Sequence, residues 1–428
     1  MCENIIIMDI RLRLRKGGKR ETIKNGSIAG KEPYMQAARI DRYIKKQEGL
    51  DSLTREDIER IQLEKLNRLL GAQRLRNGFY KDLPGGLGSL GELKELPFTT
   101  GRDVAENAAG MLMTSQADIR KIITEHTSGT TGRAKRVFYS EGDCEDTIGL
   151  FMAGLGEMTG AGGRVMICMP FSGPGSLGEL IAEAIRRIGG SPIRAGAGLS
   201  YGAMKEIMER HRPDSCVAMP VQLLSTLRVC GRGTLRSALV SGDSCPAPIA
   251  EMIEGILGSR LFHHYGTREM GLGGAVTCPA HEGMHIRENH VIAEIIDDGG
   301  RPAALGSPGE LVITTIGMEA MPLIRYRTGD RARLMEGRCP CSSSLMRLDT
   351  DISRLAGGDA ASSAVLKDDR IADYGPEKDG DGIRVLTIGR YDCAKFIKGI
   401  FGRQIEVTAR PVTMEDAPMY AGKRAPLA

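Results

Sequence analysis

Tryptophan is absent from this 428-residue chain, and phenylalanine and tyrosine make up only 4% of it. That absence has no functional message of its own, but aromatic residues are scarce where they would matter most. Residues 1–46 hold twelve Lys or Arg against five Asp or Glu, and with stacking rings so scarce this basic stretch does not read as a single-stranded nucleic-acid site. It reads as a solvated, poorly ordered tail with no nucleic-acid or membrane contact. Outside it the charge is close to balanced, since the whole chain carries only +4. Long apolar runs are missing too: none approaches the ~20 residues that span a bilayer. The opening Met1-Cys2-Glu3-Asn4 followed by Ile5-Ile6-Ile7 lacks a basic leader joined to a long apolar stretch, so a cytoplasmic location is expected. A disulfide framework is also excluded, because most of the ten cysteines sit in apolar runs such as Val165-Met166-Ile167-Cys168 and Cys216-Val217-Ala218-Met219, as core thiols do.

What is present suits a globular protein of two or three domains, with 41% hydrophobic and 26% charged residues. The most informative segment is Glu125-His126-Thr127-Ser128-Gly129-Thr130-Thr131-Gly132-Arg133-Ala134-Lys135. Glycines let backbone N–H groups converge on anionic oxygens, hydroxyls add donors, and cations neutralise charge, so this is a phosphate-binding loop. It is not the P-loop NTPase pattern, which needs Gly-Lys-Ser/Thr; here Gly132 precedes Arg133 and Lys135 precedes Arg136.

Periodicity predicts a helix over residues 51–76 (Leu53, Ile58, Ile61, Leu66, Leu69, Leu70) capped by Asp51 or Ser52. Downstream, strands at 164–169, 215–219, 237–240 and 260–263 alternate with helices at 177–188, 204–210 and 249–257. Such alternation implies parallel sheets covered by helices. Past Tyr265 the pattern turns to antiparallel pairing of 291–296 with 310–316 across an Asp297-Asp298-Gly299-Gly300 turn. Residues 348–388, rich in Gly, Ala, Ser and Asp, read as a connector.

The 127–135 segment resembles the T-S-G-T-T-G-x-x-K signature of the adenylate-forming superfamily of acyl-CoA synthetases, luciferases and peptide-synthetase adenylation domains. Further matches follow in that family's order: His264-Tyr265-Gly266-Thr267-Arg268-Glu269, then Tyr326-Arg327-Thr328-Gly329-Asp330. After these come Gly389-Arg390-Tyr391-Asp392-Cys393 with Lys398-Gly399 and Ile405-Glu406, and finally Pro418-Met419-Tyr420-Ala421-Gly422-Lys423. Upstream, Arg60-Ile61-Gln62, Phe79-Tyr80-Lys81 and Leu93-Lys94-Glu95-Leu96-Pro97-Phe98-Thr99-Thr100 resemble the phenylacetate-CoA ligase branch. The resemblance is good over residues 50–345 and patchy beyond.

It implies an α/β fold: a large N-terminal adenylate-forming domain with helix-covered, largely parallel sheets and a β-rich subdomain, followed by a small truncated C-terminal lid. The expected boundaries are a tail at 1–46, an AMP-binding adenylation domain at 47–347, a connector at 348–388 and a shortened lid at 389–428. The implied reaction is AMP-forming acid–CoA ligation, with a carboxylic acid (aryl or similar), ATP and coenzyme A as substrates. A CoA-independent acid-activating or adenylyl-transferring enzyme, and a nucleotide-binding accessory protein with a decayed lid, are the alternatives; assembly as a homodimer is left open.

By the same resemblance, Thr127, Ser128, Gly129, Thr130, Thr131, Gly132 and Lys135 embrace the β- and γ-phosphates and Glu269 holds Mg²⁺, with Tyr265, Gly266 and Thr267 beside it. Asp330 accepts from the ribose hydroxyls, Arg390 approaches ribose or phosphate, and Gly242 and Asp243 of Ser241-Gly242-Asp243-Ser244-Cys245-Pro246 lie beside adenine. Arg268 replaces a usual threonine next to the phosphates. Lys423 is either the lysine that contacts the carboxylate and α-phosphate or a solvated tail residue. Ser172-Gly173-Pro174-Gly175-Ser176 and residues 271–274, with Phe138 and Tyr139 as lining or core, leave room for the acid. Cys278, His281, His285, Cys339 and Cys341 supply the soft and borderline ligands of a closed structural zinc site. The branch's C-x₆-H…C-x-C spacing selects Cys278, His285, Cys339 and Cys341; His281 is the competing nitrogen ligand, and unliganded thiols are the other reading.

Overall fold

In the computed structural model the described residues are 6–14, 38–126, 134–173, 175–197, 199, 201–355, 371–379, 382–389 and 405–411. The organising element is an eight-stranded sheet whose order runs Ser191–Arg194, Arg164–Ile167, Ser215–Ala218, Ser237–Val240, Phe262–Tyr265, Ala275–Thr277, Met284–Ile286, Arg347–Leu348. Its first five strands are parallel and the last three antiparallel. The parallel strands are short and apolar, and Ser215–Ala218 is buried throughout, as expected where helices cover both faces. The helices Leu177–Arg187, Tyr201–His211, Pro220–Cys230 and Ala247–Leu257 alternate with them. Their leucines, such as Leu223 and Leu224, are fully buried against Met166, Cys168 and Cys216. Each such side chain contributes about 1.5–3 kcal/mol of burial free energy. All eight described cysteines are free. No helix among the described residues is long and apolar enough to cross a membrane.

A second, antiparallel sheet, ordered Val291–Ile296, Pro308–Thr315, Tyr326–Arg333, Ser353–Arg354, is the expected β-rich subdomain. The predicted turn at 297–300 joins its first two strands, which pair from Val291↔Thr315 to Ile296↔Glu310.

Several expectations shift. The helix predicted from residue 51 runs Arg55–Arg76, and its cap is Thr54 in a reciprocal box with Asp57 rather than Asp51 or Ser52. An 18-residue helix, Glu141–Met158, was not predicted from periodicity; its signature is another box, Ser140 with Asp143. The tail expected to reach residue 46 ends earlier, because Ile40 and Ile44, four apart, are buried on the helix Arg39–Glu48. Ile6–Leu14 pairs as a strand between Gly382–Gly389 and Ile405–Pro411, with Ile371–Asp379 at the outer edge. The expected connector therefore contains strands, in keeping with the β-favouring run Val385-Leu386-Thr387-Ile388. Of the expected lid at 389–428, beyond Gly389 only Ile405–Pro411 is described.

Candidate active site and metal centre

The hairpin Lys121–His126/Ala134–Tyr139, paired from Lys121↔Tyr139 to His126↔Ala134, flanks the predicted phosphate loop. Thr127, Ser128, Gly129, Thr130, Thr131 and Gly132 lie outside the described residues, as do Arg390 and Lys423. Lys135, on the returning strand, is described and buried, and its ammonium pairs with the Glu269 carboxylate. Glu269 sits in a single 3₁₀ turn, Arg268–Met270, just past the edge of the parallel sheet. From the second sheet, Tyr326 donates its hydroxyl to Glu269 Oε1 at 3.0 Å, and Lys135 Nζ donates to the same hydroxyl at 3.3 Å. Burial alone would raise the Glu269 carboxyl, but the Lys135 charge and hydrogen bond outweigh it and hold it below the usual glutamate range. The group is a buried, ionised carboxylate within a three-membered cluster.

Asp330 owes its direction to a bulge. Between the pairs Glu310↔Arg331 and Val312↔Arg327 its strand carries two residues more than its partner, and Gly329 takes φ +74°, which glycine permits without cost. Glu310 fixes the bulge by accepting from Gly329 N at 3.1 Å and from Arg327 Nε at 2.8 Å. Asp330 then accepts from the Tyr265 hydroxyl on Oδ2 at 2.7 Å and from Arg354 on Oδ1 at 2.8 Å. Burial first, and then the Asp330 charge, push the Tyr265 phenol well above its ordinary range, so it stays a donor. Arg354 also donates to Thr328 O at 2.8 Å. Nothing in the sequence marked Arg354, since it stands in the presumed connector outside every motif.

The loop after Ser237–Val240 converges on the same place. Ser244 Oγ donates to Ile352 O at 2.7 Å, tying the Gly242-Asp243 segment to the strand of Arg354. Gly242 has φ +85°, and burial raises the Asp243 carboxyl to about 6, partly offset by the Ser244 N–H. Behind it Ser241 Oγ lies 2.8 Å from His264 Nδ1. Gly266 is obligatory: a Cβ there would sit 2.4 Å from Leu272 O. The Thr267 hydroxyl is buried without a hydrogen-bond partner among the described residues. Arg268, half-buried, accepts the Tyr139 hydroxyl on its carbonyl. One expectation about the acid pocket fails. Gly273 and Gly274 do not leave space, because Cβ atoms there would lie 2.5 Å from Leu150 and 2.3 Å from Met270. Tyr139, read as lining or core, is fully buried and packs in the core. In the other expected wall, Gly175 O accepts from Lys121 Nζ.

The metal-ligand set comes together. The ligand atoms of Cys278, His285, Cys339 and Cys341, all buried, lie within 4.8 Å of one another. Cys278 Sγ is 3.6 Å from Cys339 Sγ, and Cys341 Sγ is 3.3 Å from His285 Nε2; a tetrahedral zinc with ~2.3 Å bonds to sulfur needs sulfurs about 3.8 Å apart. Hydrogen bonds from Cys278 and then Cys341 hold the Cys339 thiol far below its usual range. Burial opposes but Cys339 and Cys341 outweigh it in raising the His285 imidazole to about 9. His281 is elsewhere: its Nδ1 faces Leu261 O at 3.0 Å and its ring packs on Phe262.

The candidate site thus draws on three sheets: Lys135 comes from the two-stranded hairpin, Glu269 follows a strand of the eight-stranded sheet, and Asp330 lies in the antiparallel sheet. Residues 113–320 match the family of AMP-binding enzymes. The phenylacetate-coenzyme A ligase of Thermus thermophilus is 27% identical over 340 residues, 71% of this chain and 72% of that protein. The phenylacetate-coenzyme A ligase of Escherichia coli is 28% identical over 267 residues, and the match spans 60% of its length and 59% of this chain. A crystal structure of 2-hydroxyisobutyryl-CoA ligase with 2-HIB-AMP and CoA shares the fold at a TM-score of 0.64 and 19% identity, over 71% of this chain and 70% of that one. The chain is thus similar to AMP-binding enzymes over residues 113–320 and, at 27–28% identity, to phenylacetate-coenzyme A ligases.

Proposed function

We propose that this protein is an AMP-forming acid–CoA ligase: a carboxylic acid attacks the α-phosphorus of ATP to give an acyl-adenylate and pyrophosphate, and the thiol of coenzyme A then displaces AMP. The observation that supports it best is the pairing of two buried acids with two different tasks, Glu269 in the Lys135–Tyr326 cluster and Asp330 between Tyr265 and Arg354. Joining two anions requires charge neutralisation before anything else. Lys135 supplies a fixed cation at the root of the phosphate loop, and Arg268 lies beside it on the Glu269 turn. Asp330 is an acceptor held at sugar depth by the Gly329 bulge, and Arg354 closes over it. Gly242 and Asp243 border the adenine side.

A lone buried carboxylate beside a phosphate-binding hairpin fits Mg²⁺, which favours one or two carboxylates plus substrate oxygens and water over an all-protein cage. Glu269 would hold it, and the ion would neutralise the phosphate oxygens as pyrophosphate leaves. Cys278, His285, Cys339 and Cys341 would hold a structural Zn²⁺, since no step of adenylation requires one and the cluster faces the core. The protein works in the cytoplasm without nucleic-acid or membrane partners. Pyrophosphate release across a panel of aryl and aliphatic acids, with and without coenzyme A, tests the reading. Acid-dependent release coupled to thioester formation is the expected result, whereas ATP binding with no release for any acid would reject it.

A further inference from the structure

One continuous stretch of chain grips the Glu269 turn at three points. Lys135, on the strand Ala134–Tyr139, pairs with the Glu269 carboxylate. Tyr139, which ends that strand, donates its hydroxyl to Arg268 O. Thr147, two turns into the helix Glu141–Met158, donates to Gly271 O at 2.6 Å, sharing its one proton with Asp143 O at 2.8 Å. The two carbonyls bracket the turn: Arg268 opens it and Gly271, at φ +77°, is its left-handed cap. A single 3₁₀ turn has almost no internal hydrogen bonding to fix it. Here its own bonds are two long ones, Met270 N to Thr267 O and Gly271 N to Arg268 O at 3.3 Å each, and one from just beyond it, Leu272 N to Thr267 O at 2.9 Å. The two hydroxyls add anchors from outside the turn, one on the carbonyl at each of its ends.

The clamp is rigid at its own base. Ser140 and Asp143 form a capping box at the helix start, and Asp143 also accepts from Glu319 N at 2.7 Å and Ala320 N at 3.1 Å. Burial drives the Tyr139 phenol far above its ordinary range, so it remains a donor. The phosphate loop directly precedes Lys135 in the chain, so the stretch that carries the loop also sets the height and tilt of Glu269.

We propose that Tyr139 and Thr147 are positioning residues for the divalent cation of the nucleotide, holding the Glu269 carboxylate in register with the phosphate hairpin through the carbonyls of Arg268 and Gly271. This rests on the assignment of Glu269 as metal ligand. Mg²⁺ tolerates little departure from octahedral geometry, and a ligand displaced by under an ångström loses much of its effect. Neither hydroxyl touches substrate.

The test compares Tyr139→Phe, Thr147→Val and Thr147→Ser with the wild type. Binding of Mn²⁺ in the presence of ATP is followed by electron paramagnetic resonance, and the Mg²⁺ dependence of pyrophosphate release is measured at saturating ATP and acid. The first two variants should each weaken metal affinity roughly tenfold, the scale of one lost buried hydrogen bond, with KM for the acid unchanged, and Thr147→Ser should restore it. If Thr147→Val does not fold, Tyr139→Phe carries the comparison. Lower melting temperatures with wild-type metal affinity would make the hydroxyls merely structural and overturn the proposal. A wild type that shows no metal-dependent nucleotide binding would instead refute the role of Glu269 itself.

Discussion

Glu269 and Asp330 both rest in ion pairs, so removing either does two things at once. Glu269→Gln takes away the anion beside a buried Lys135, and an uncompensated buried charge costs about 3–5 kcal/mol. Asp330→Ala leaves Arg354, which is half-exposed and keeps its bond to Thr328 O, so its stability cost should be small. Both variants should lose pyrophosphate release altogether, while only Glu269→Gln melts at clearly lower temperature; full activity in either would contradict the assignment. Asp243 supplies a pH signature. Its carboxyl is raised by burial to about 6 from an ordinary 3.8, so the fold favours the protonated form. That contribution is complete below pH ~4 and disappears as pH climbs through 6. Asp243→Asn, neutral throughout, should match the wild type in melting temperature at pH 4 and exceed it at pH 8; equal curves at both values would argue against burial as the cause.

Among the elements, the turn 265–272 tolerates little change. Gly266→Ala would drive a Cβ to 2.4 Å from the backbone oxygen of Leu272, and a backbone contact cannot rotate away. Activity should vanish and the melting temperature should fall by several degrees, the effect of ~1–3 kcal/mol of overpacking; a soluble variant with wild-type melting would show the turn to be more pliable. Most of the alternating strands and helices from 164 to 265 were readable because their apolar runs are short and uninterrupted, but Ser191–Arg194 and Pro220–Cys230 were not read. Nor was Glu141–Met158, because its buried face is built from small and polar residues, Thr147, Ala153, Gly154 and Gly156, beside Ile148, Leu150, Phe151 and Leu155, which blurs the period. Glu269, Asp330 and Lys135 were singled out by motif, and the structure pairs Lys135 with Glu269 and sets Asp330 between Tyr265 and Arg354. Arg354 was not: its role comes from a bulge and a strand pairing, Asp330↔Arg354, that no local pattern encodes. The choice of His285 over His281 followed from spacing, and its physical basis is that His281 faces away toward Leu261.

For the molecule as a whole, the cysteine–histidine cluster joins distant parts of the chain. Cys278 follows the strand Ala275–Thr277, His285 lies within Met284–Ile286, and the Cys339/Cys341 loop leads to Arg347–Leu348, the sheet's last strand. Around them pack Ile40, Ile44 and Ile58 of the first two helices. Cys339→Ser should lower zinc content and melting temperature together, and a strong chelator should do the same to the wild type; unchanged metal stoichiometry by atomic absorption would refute the site. At the other centre, charge is already balanced before any guest arrives, Lys135 against Glu269 and Arg354 against Asp330. A nucleotide entering without its metal would draw Lys135 toward phosphate and abandon the glutamate, and a metal entering alone would do the reverse. If Glu269 holds the metal as proposed, each visitor leaves a debt that only the other settles, and the two should bind as a couple far better than either alone.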